Sequence, residues 1–530
     1  MQLKQANLTN CLLNDMPKKK ANAARKTAAR RRSANPKQPD ILRVARENFG
    51  FESLRPGQED AIRTVLAGQD TLVVMPTGFG KSAIYQIAGL VMDGAVLVIS
   101  PLIALQKDQV DTINAQESEA EAVVINSTQR VAELRQSMEK IEQGEGKYIF
   151  LAPEQLRKDA TIETLQAANI SLFVVDEAHC ISEWGHDFRP DYLQLGPVIE
   201  RLGHPVVLSM TATASREVRD EIVNRLGMRK PRILVQGFDR PNLFLRVDHY
   251  DTHDKKLEAL IHRVHWAEKP GIVYVGTRKA AETIMRQLNG EGVRALFYHG
   301  GLKASDRNAI QEQFMAGDAA VIVATNAFGM GIDKANIRFV FHYDISDSLD
   351  SYYQEIGRAG RDGEKAEAVL FFRPEDIGAA SFKASESKLD PIEAERVATA
   401  IAEQQGPIEP DEISEQANLS ERKLVTAIQR LEDVGAVEVF PTGEVQLSED
   451  ADVSEAARAA AEEQEHRRQM KKHRLLRMQE YADTGACRRE HLLRYFGDEF
   501  TGPCNNCDNC EAAGREITVD PAIGTRREVA

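Results

Sequence analysis

Short runs of Val, Ile and Leu alternate with longer, polar-faced segments from Ile41 to about Phe372. Such runs have the length of buried β-strands, and alternation of strand and helix predicts parallel sheets. The ten predicted strands fall into two groups of five, which predicts two α/β domains in tandem with a turn-rich junction near residues 239–242. The strands are residues 71–75, 95–99, 148–151, 172–175, 206–210, 271–275, 295–298, 320–323, 339–342 and 368–372.

The pattern changes after Pro374, where the chain becomes strongly acidic. Residues 411–435 predict a short helix, a turn in which Ser420 is the N-cap, and then an amphipathic helix. Residues 437–447 predict a β-hairpin that turns at Pro-Thr-Gly, so the whole segment resembles a winged helix. An Ala/Glu-rich helix and a separate basic helix over residues 467–477 follow it.

Composition refines this picture without changing it. The 530-residue chain has a formal net charge of −14, which is unusual for a nucleic-acid binder, but residues 18–37 are strongly basic and contain no acidic residue. That block predicts a disordered tail that binds phosphates, serves as a targeting signal or only aids solubility. Met16 is an alternative start. No apolar run is long enough to span a membrane, and no secretory signal is present.

A phosphate-binding loop is predicted at Met75–Ser82, after the first strand and at the start of a helix. Backbone N–H groups and the helix dipole bind phosphates in such a loop, Lys81 neutralises the β and γ phosphates, and the Ser82 hydroxyl ligates magnesium. Met75 stands where the strict pattern has glycine. The candidate ATP-binding residues of the loop are Thr77, Gly78, Gly80, Lys81 and Ser82.

Two carboxylates, Asp176 and Glu177, end the fourth apolar run about 95 residues after Lys81. Phosphate chemistry uses such a pair, Asp176 to hold a magnesium ion and Glu177 to orient and deprotonate the attacking water. The next residues include side-chain types that stack on unpaired bases, which contribute about 1–3 kcal/mol per base. We predict a motor on nucleic acid, the alternative being an acidic strand end beside an aromatic turn. The candidate DNA-coupling residues are Trp184, His186, Phe188, Arg189 and Tyr192.

The stretch from Val174 to Tyr192 resembles the DEAH box and aromatic-rich loop of the RecQ DNA helicases. The resemblance implies that the two α/β domains are RecA-like lobes with ATP between them. It also implies that Phe51 stacks on the adenine, and that Arg55 and Gln58 contact the base. Residues 209–213 would couple the γ-phosphate to lobe movement.

In the second domain, residues 324–334 and 353–363 resemble two further RecQ motifs. The resemblance assigns Arg361, and secondarily Arg358, as arginine fingers that cross the cleft, and it places Gln354 among the catalytic residues. A cation there stabilises the transition state and makes hydrolysis depend on cleft closure, by about 10³–10⁵ in related NTPases.

Four cysteines near the C-terminus have the spacing of metal ligands, with sixteen residues after the first and two between each of the others. Thiolates at this spacing close around a tetrahedral ion, so they predict a structural zinc site, and free or redox-active cysteines are the alternative. Their flanking sequences resemble the RecQ zinc module. The predicted ligands are Cys487, Cys504, Cys507 and Cys510.

These features divide the chain into six predicted regions. They are a basic disordered tail (1–40), lobe 1 with the ATP site (41–235), lobe 2 (236–375), an acidic winged-helix-like insertion (376–465), an α-helical zinc-binding module (466–512) and a disordered tail (513–530). In the RecQ family the zinc module follows lobe 2 closely, so the insertion is a departure. The residues after Cys510 are too few for the family's HRDC module.

The predicted function is that of an ATP-dependent 3′→5′ DNA helicase acting on single-stranded and forked DNA in repair or recombination, with ATP, Mg²⁺ and Zn²⁺ as cofactors. The polarity and the DNA preference follow from the resemblance alone. We expect a cytoplasmic protein, nucleoid-associated if bacterial. An RNA helicase of the same superfamily and a non-catalytic DNA-binding scaffold are the alternatives.

The acidic winged-helix-like region has two interpretations. Phe440 lies at the predicted wing tip, a setting comparable to the hairpin aromatic with which many RecQ helicases separate strands. The surrounding carboxylates would repel phosphates, which favours a protein-docking or spacer domain.

Overall fold

The computed structural model describes residues 40–516 with short gaps. The gaps are residues 77, 102, 116–120, 127–128, 186, 330–331, 333, 385–389, 405, 441–443 and 449–450. The predictions for the basic block 18–37, for Thr77 and His186, and for the hairpin tip therefore lie outside the described residues.

Lobe 1 is built on a seven-stranded parallel sheet in the order β3-β4-β2-β5-β6-β1-β7. Its strands are β1 (Thr71–Val74), β2 (Ala95–Ile99), β3 (Glu121–Ile125), β4 (Gly146–Leu151), β5 (Ile170–Val175), β6 (Val206–Thr211) and β7 (Arg232–Val235). Its helices are α1 (Ile41–Phe49), α2 (Gln58–Leu66), α3 (Ser82–Val91), α4 (Ile103–Asn114), α5 (Val131–Glu142), α6 (Asp159–Ala167), α7 (Leu195–Arg201) and α8 (Arg216–Arg225).

Lobe 2 repeats the architecture with a six-stranded parallel sheet in the order β10-β11-β9-β12-β13-β8. Its strands are β8 (Leu243–His249), β9 (Gly271–Tyr274), β10 (Ala295–Tyr298), β11 (Val321–Ala324), β12 (Phe339–His342) and β13 (Ala366–Phe372). Its helices are α9 (His253–Trp266), α10 (Arg278–Gly290), α11 (Ala304–Ala316), α12 (Leu349–Ile356) and α13 (Pro374–Ala384). The predicted pair of parallel α/β lobes is confirmed.

Three strands that the hydrophobic pattern did not predict, β3, β7 and β8, all lie at sheet edges. The inner strands are buried on both faces and therefore read as continuous apolar runs. An edge strand keeps one side in contact with solvent or with another element. β7 is largely exposed, and β8 alternates buried with half-buried residues, so neither gives a continuous run.

The winged-helix-like region, residues 391–447, has the two helices and the hairpin that its sequence predicts, and a further helix before them that the sequence did not predict. Three helices, α14 (Pro391–Ala402), α15 (Pro410–Ala417) and α16 (Glu421–Asp433), precede the antiparallel strands β14 (Val437–Val439) and β15 (Val445–Leu447). Ser420 is the N-cap of α16, as predicted. This region has an apolar core of its own. Of the helix that follows the hairpin, only the first turns contribute to that core.

That following helix, α17 (Val453–Asp483), is continuous over 31 residues. The sequence suggested two helices with a region boundary at residue 466, and the structure corrects this. Ala456, Ala457 and Ala460 pack into the winged-helix-like core, whereas Met478 and Tyr481 belong to the core of the lobes. The helix is about 46 Å long at 1.5 Å per residue, so it reaches from one region to the other.

The zinc module consists of α18 (Arg488–Tyr495) and α19 (Asp508–Glu516), with the loop between them. Its α19 extends past the predicted boundary at residue 512. The module lies beside β8, and Cys507 forms an isolated parallel bridge with Leu245. It thus covers the exposed edge of the lobe 2 sheet, an edge that would otherwise present unpaired backbone groups. Among the described helices, none is long and apolar enough to cross a membrane.

Candidate active site and nucleic-acid loop

Three adjacent strands of lobe 1 deliver the nucleotide motifs to one place. β5, β6 and β1 are neighbours in the sheet, and their carboxyl ends lead into the Asp176-Glu177 pair, the segment 209–213 and the phosphate-binding loop. Ligands of open α/β sheets bind outside the carboxyl ends of the strands. The topology therefore brings together motifs that lie up to about 130 residues apart in the chain.

The phosphate-binding loop has the backbone that a phosphate cradle needs. Gly78 and Gly80 have positive φ angles of 84° and 75°, which glycine adopts without strain. Lys81 Nζ donates to the Met75 carbonyl oxygen at 3.1 Å. Burial lowers the pKa of Lys81, while the charges of Glu177 and Asp176 act in the opposite direction. The ammonium thus lies within the field of both carboxylates.

The residues expected to bind adenine lie against this loop. Gln58 is buried and its Nε2 donates to the carbonyl oxygens of Phe79 at 3.0 Å and Gly80 at 2.8 Å. The Arg55 guanidinium donates to the Gly78 carbonyl. Phe51 is 40% exposed and stacks on Phe49 with ring centroids 5.7 Å apart. A base could therefore reach Phe51 next to the two polar side chains.

The carboxylate pair lies at the end of β5 in a strained turn. Glu177 has φ 47°, a left-handed conformation that costs a non-glycine residue of order 1–3 kcal/mol, and its N–H donates to Asp176 Oδ1 at 3.0 Å. Burial, and then the Glu177 charge, raises the pKa of Asp176 to about 7, which Lys81 partly offsets. A carboxylate of this kind fits Mg²⁺, because a divalent cation stabilises the ionised form. Ser82 begins α3 and would supply the hydroxyl ligand.

His179 connects Glu177 to the segment 209–213, a link that the sequence analysis missed. Its Nδ1 lies 2.9 Å from Thr211 Oγ1 and 3.4 Å from Glu177 Oε2. Thr211 Oγ1 donates to the Thr213 carbonyl oxygen, so it must accept from His179 Nδ1–H, which fixes the tautomer. Burial lowers the pKa of His179 to about 4, so the ring is neutral at pH 7. The sequence feature that indicates this link is a histidine two residues after Glu177.

Lobe 2 contributes Arg361 to the cleft. A Cβ built on Gly78 would lie 3.5 Å from Arg361 Cδ, so the side chain reaches the phosphate-binding loop of lobe 1. Its Nη1 donates to the Ile332 carbonyl oxygen at 2.8 Å. Arg358 is instead buried inside lobe 2, where its guanidinium donates to the Gly329 carbonyl. Gln354 is half-buried on α12.

The aromatic loop, residues 183–188, follows the carboxylates directly. Trp184 is 38% exposed and Phe188 is half-buried, so both rings have accessible surface. A Cβ on Gly185 would lie only 2.4 Å from the His179 carbonyl oxygen, so the loop backbone rests on the turn that carries Glu177. The aromatic loop and the catalytic turn are therefore in direct contact.

Two of the candidate coupling residues have different surroundings from those expected. Tyr192 is fully buried and its hydroxyl donates to the Asp176 carbonyl oxygen at 3.0 Å. It cannot stack on a base, and the expectation of stacking is corrected for this residue. Arg189 donates to the Pro101 carbonyl oxygen at 3.0 Å and pairs with Asp187 at 3.1 Å, so it braces the loop internally.

The four predicted zinc ligands converge. The sulfur atoms of Cys487, Cys504, Cys507 and Cys510 all lie within 4.8 Å of one another, and Cys504 Sγ is 3.9 Å from Cys510 Sγ. Sulfurs around a tetrahedral Zn²⁺ at 2.3 Å are separated by about 3.8 Å. The donor set and its size therefore fit a closed zinc site.

Asp508 and Arg489 attach the zinc module to lobe 2, and the buried Arg488–Asp508 pair within the module holds Asp508 in place. Arg488 is 3% exposed and its Nε donates to Asp508 Oδ1 at 2.6 Å, while Asp508 Oδ2 accepts from the Val247 N–H of β8 at 2.9 Å. The adjacent Arg489 bonds Asp239 at 2.7 Å and the Leu243 carbonyl oxygen at 2.6 Å.

Comparison with known proteins agrees with this assembly. The model of the DEAD/DEAH box helicases matches residues 55–221, the helicase conserved C-terminal domain matches 253–363, and the RecQ zinc-binding domain matches 449–511. RecS of Bacillus subtilis, a probable ATP-dependent DNA helicase, is 36% identical over 485 residues, which cover 91% of this chain and 93% of RecS.

Other relatives are longer than this chain. The ATP-dependent DNA helicase RecQ of Haemophilus influenzae is 35% identical over 89% of this chain and 64% of its own length. RecQ of Bacillus subtilis is 44% identical over 64% of this chain and 57% of its own length. The chain thus spans less than two thirds of these two RecQ proteins.

Solved structures share the fold. The helicase MrfA bound to DNA has a TM-score of 0.54 at 17% identity, covering 78% of this chain and 63% of that chain. The Mycobacterium smegmatis helicase Lhr bound to single-stranded DNA and AMP-PNP has a TM-score of 0.51 at 21% identity, with coverages of 80% and 63%. At these identities the likeness shows the fold alone.

The chain combines two RecA-like lobes, a nucleotide site between them and a four-cysteine module. It also aligns with RecS along nearly the whole of both chains, at 36% sequence identity. The chain therefore belongs to the RecQ family of ATP-dependent DNA helicases, with ATP, Mg²⁺ and Zn²⁺ as cofactors.

Proposed function

We propose that this helicase couples ATP hydrolysis in the cleft to 3′→5′ translocation on single-stranded DNA, and that it unwinds tailed or forked duplexes during repair or recombination. The observation that carries the coupling is the contact of the aromatic loop with the catalytic turn at His179. The polarity and the forked substrate rest on the family resemblance. We expect the protein to act in the cytoplasm, at the nucleoid if the source is bacterial.

The roles in hydrolysis follow from the placement of each group. Lys81 would bind the β and γ phosphates, Ser82 and Asp176 would hold Mg²⁺, and Glu177 would orient the attacking water. Arg361 would add a cation to the γ-phosphate once lobe 2 closes, which ties hydrolysis to lobe movement. Phe51, Arg55 and Gln58 would hold the adenine.

The coupling runs through the contacts of the DEAH turn. Neutral His179 joins Glu177 to Thr211, which lies in the segment 209–213 that the family resemblance assigns to coupling the γ-phosphate with lobe movement. A strand that stacks on Trp184 or Phe188 would shift the loop and, through Gly185, the turn that carries Glu177. DNA occupancy would in this way change the position of the catalytic carboxylate.

The winged-helix-like region is proposed to dock a protein partner. Its surface is acidic, and Phe440 is half-buried beside the hairpin, with its N–H donating to the Glu444 carbonyl oxygen at 2.8 Å. Acidic side chains repel phosphates, so a strand-separating role for Phe440 is the weaker interpretation. Phe440→Ala distinguishes them, because only a separating residue requires loss of unwinding with ATPase activity retained.

A strand-displacement assay tests the proposal. Duplexes with a 3′ tail, with a 5′ tail and with a fork are incubated with ATP and the full chain, and Lys81→Ala serves as the hydrolysis-deficient control. We expect unwinding of the 3′-tailed and forked duplexes only. Unwinding of the 5′-tailed duplex would refute the polarity. Stronger stimulation of ATPase by RNA than by single-stranded DNA would favour the RNA helicase alternative.

A further inference from the structure

The aromatic loop is held by the long helix α17, which lies almost 300 residues away in the chain. Four α17 residues contact the loop, the first of them through a 3.1 Å contact between His466 and Glu183, and they occupy positions i, i+1, i+7 and i+8, which form one helical face. They are His466, Arg467, His473 and Arg474. Because one face of this helix contacts the loop at several points, α17 is a candidate for controlling it.

Two of these contacts involve the tryptophan segment. The His473 ring meets the Trp184 ring edge to face, with centroids 5.8 Å apart, and the Arg474 guanidinium donates to the Gly185 carbonyl. Gly185 is the residue whose backbone rests on His179. A displacement of α17 therefore reaches the catalytic turn through a single residue.

Arg467 makes the contact that matters for a bound strand. Its guanidinium carbon lies 4.9 Å from the centroid of the Phe188 ring and covers one face of it. Asp433 of α16 accepts from Arg467 Nη1 at 2.8 Å, and Glu463 accepts from Nε at 2.6 Å. The Arg467 side chain is only 16% exposed, so the arrangement is well packed.

A base and Arg467 cannot occupy the same face of Phe188. Cation–ring contacts and base–aromatic stacking have comparable free energies, so one can replace the other. An incoming strand also brings phosphates, which are alternative partners for an arginine that is released from Asp433 and Glu463. The side chain thus has two competing sets of partners, one in the DNA-free protein and one on DNA.

We propose that Arg467 is a positioning residue that holds the aromatic loop in its DNA-free arrangement, and that single-stranded DNA must displace it from Phe188 to stimulate ATP hydrolysis. This inference rests on the proposed DNA-coupled ATPase. It assigns α16 a role inside the molecule, because Asp433 at its C-terminal end anchors the arginine. The winged-helix-like region would then report on DNA through Arg467.

The test is the steady-state ATPase rate of the full chain, first without DNA and then with increasing oligo(dT). For Arg467→Ala we expect the DNA-free ATPase rate to rise at least about threefold, because this factor corresponds to the free energy of one cation–ring contact. The oligo(dT) concentration that gives half-maximal stimulation should fall by a similar factor. Arg467→Lys retains a cation beside Asp433 and the ring, so it should largely restore the low DNA-free rate.

Arg468→Ala is the matched control. It removes the same charge from the next position of the same helix, where Arg468 pairs with Glu465 at 2.8 Å and makes no hydrogen bond, ion pair or ring contact with the described part of the loop. We expect wild-type rates from it. If Arg467→Ala does not fold, Glu463→Gln decides, because it leaves the arginine and the ring in place and weakens the Arg467–Glu463 pair at 2.6 Å.

The possible outcomes distinguish failure of this inference from failure of the proposed function. Wild-type protein that is not stimulated by oligo(dT) would overturn the proposed function and the inference with it. Stimulated wild type, together with Arg467→Ala rates equal to those of Arg468→Ala, would overturn the inference alone. An unchanged DNA-free rate with a higher half-saturating oligo(dT) concentration would make Arg467 a DNA ligand, and that result also overturns it.

Discussion

The zinc module and the winged-helix-like region are attached to the lobes in different ways. The zinc module shares one apolar core with the lobes, and Asp508 and the buried Arg489 bond the backbone of β8. The winged-helix-like region has a separate core. Its ion pair with lobe 1, Arg157–Glu432 at 2.6 Å, is partly exposed, since the Arg157 side chain is 42% exposed.

The difference separates a permanent attachment from an exchangeable one. Breaking a buried pair leaves a charge without solvent or partner, so such a contact persists unless another charged group takes the partner's place. Partly exposed pairs contribute about 0–1 kcal/mol and can exchange with water or phosphate. Lobe 2 and the zinc module should therefore move as one body during cleft closure, whereas the winged-helix-like region can change its contacts.

The largest expected effect is that of Cys504→Ser. Zinc should be lost and the module should unfold, because metal binding and folding are coupled in small zinc modules, with about 10–16 kcal/mol of apparent binding free energy. Metal analysis and thermal unfolding measure the two consequences. Wild-type protein without stoichiometric zinc would refute the premise.

Arg361→Ala tests whether the lobe 2 body must close on lobe 1. We expect kcat to fall by about 10³ with little change in KM for ATP, because the group acts mainly in the transition state. Arg358→Ala is the comparison, since that side chain is buried within lobe 2 and its loss should act more on stability. A raised KM with unchanged kcat would make Arg361 a ground-state ligand.

Arg488→Ala should lower the free energy of unfolding by about 3 kcal/mol, because it leaves Asp508 without its main partner. Chemical denaturation measures the change. Arg494→Ala on the same helix is the control, since Arg494 is 74% exposed and its loss should cost about 0.5 kcal/mol or less. Equal effects of the two variants would remove the distinction between the attachments.

The smallest effect is expected from Arg157→Ala, which breaks the pairs with Glu432 and Asp191. Global stability should change by about 1 kcal/mol or less. Hydrogen exchange in residues 391–447 should nevertheless become faster, because the region loses a contact with lobe 1. Arg201→Ala, which removes an exposed pair with Asp159, is the control. Unchanged exchange in Arg157→Ala would show that other contacts hold the region.

The sequence by itself determined the chemistry that depends on local spacing. The phosphate-binding loop, the Asp176-Glu177 pair and the four cysteines need particular residue types at fixed separations, and such separations are visible in one dimension. The inner strands could be predicted for a similar reason, since burial on both faces leaves a continuous apolar run.

Only the tertiary structure decided which polar side chains meet across the chain. Arg474 and Gly185 are 289 residues apart, and Arg157 and Glu432 are 275 residues apart. Before folding, Arg467 is one basic residue among several on a charged helix, and Tyr192 is one aromatic among several in a loop. Burial made Tyr192 a core residue and placed Arg467 on Phe188, because packing of distant elements, not spacing, sets the surroundings of a side chain.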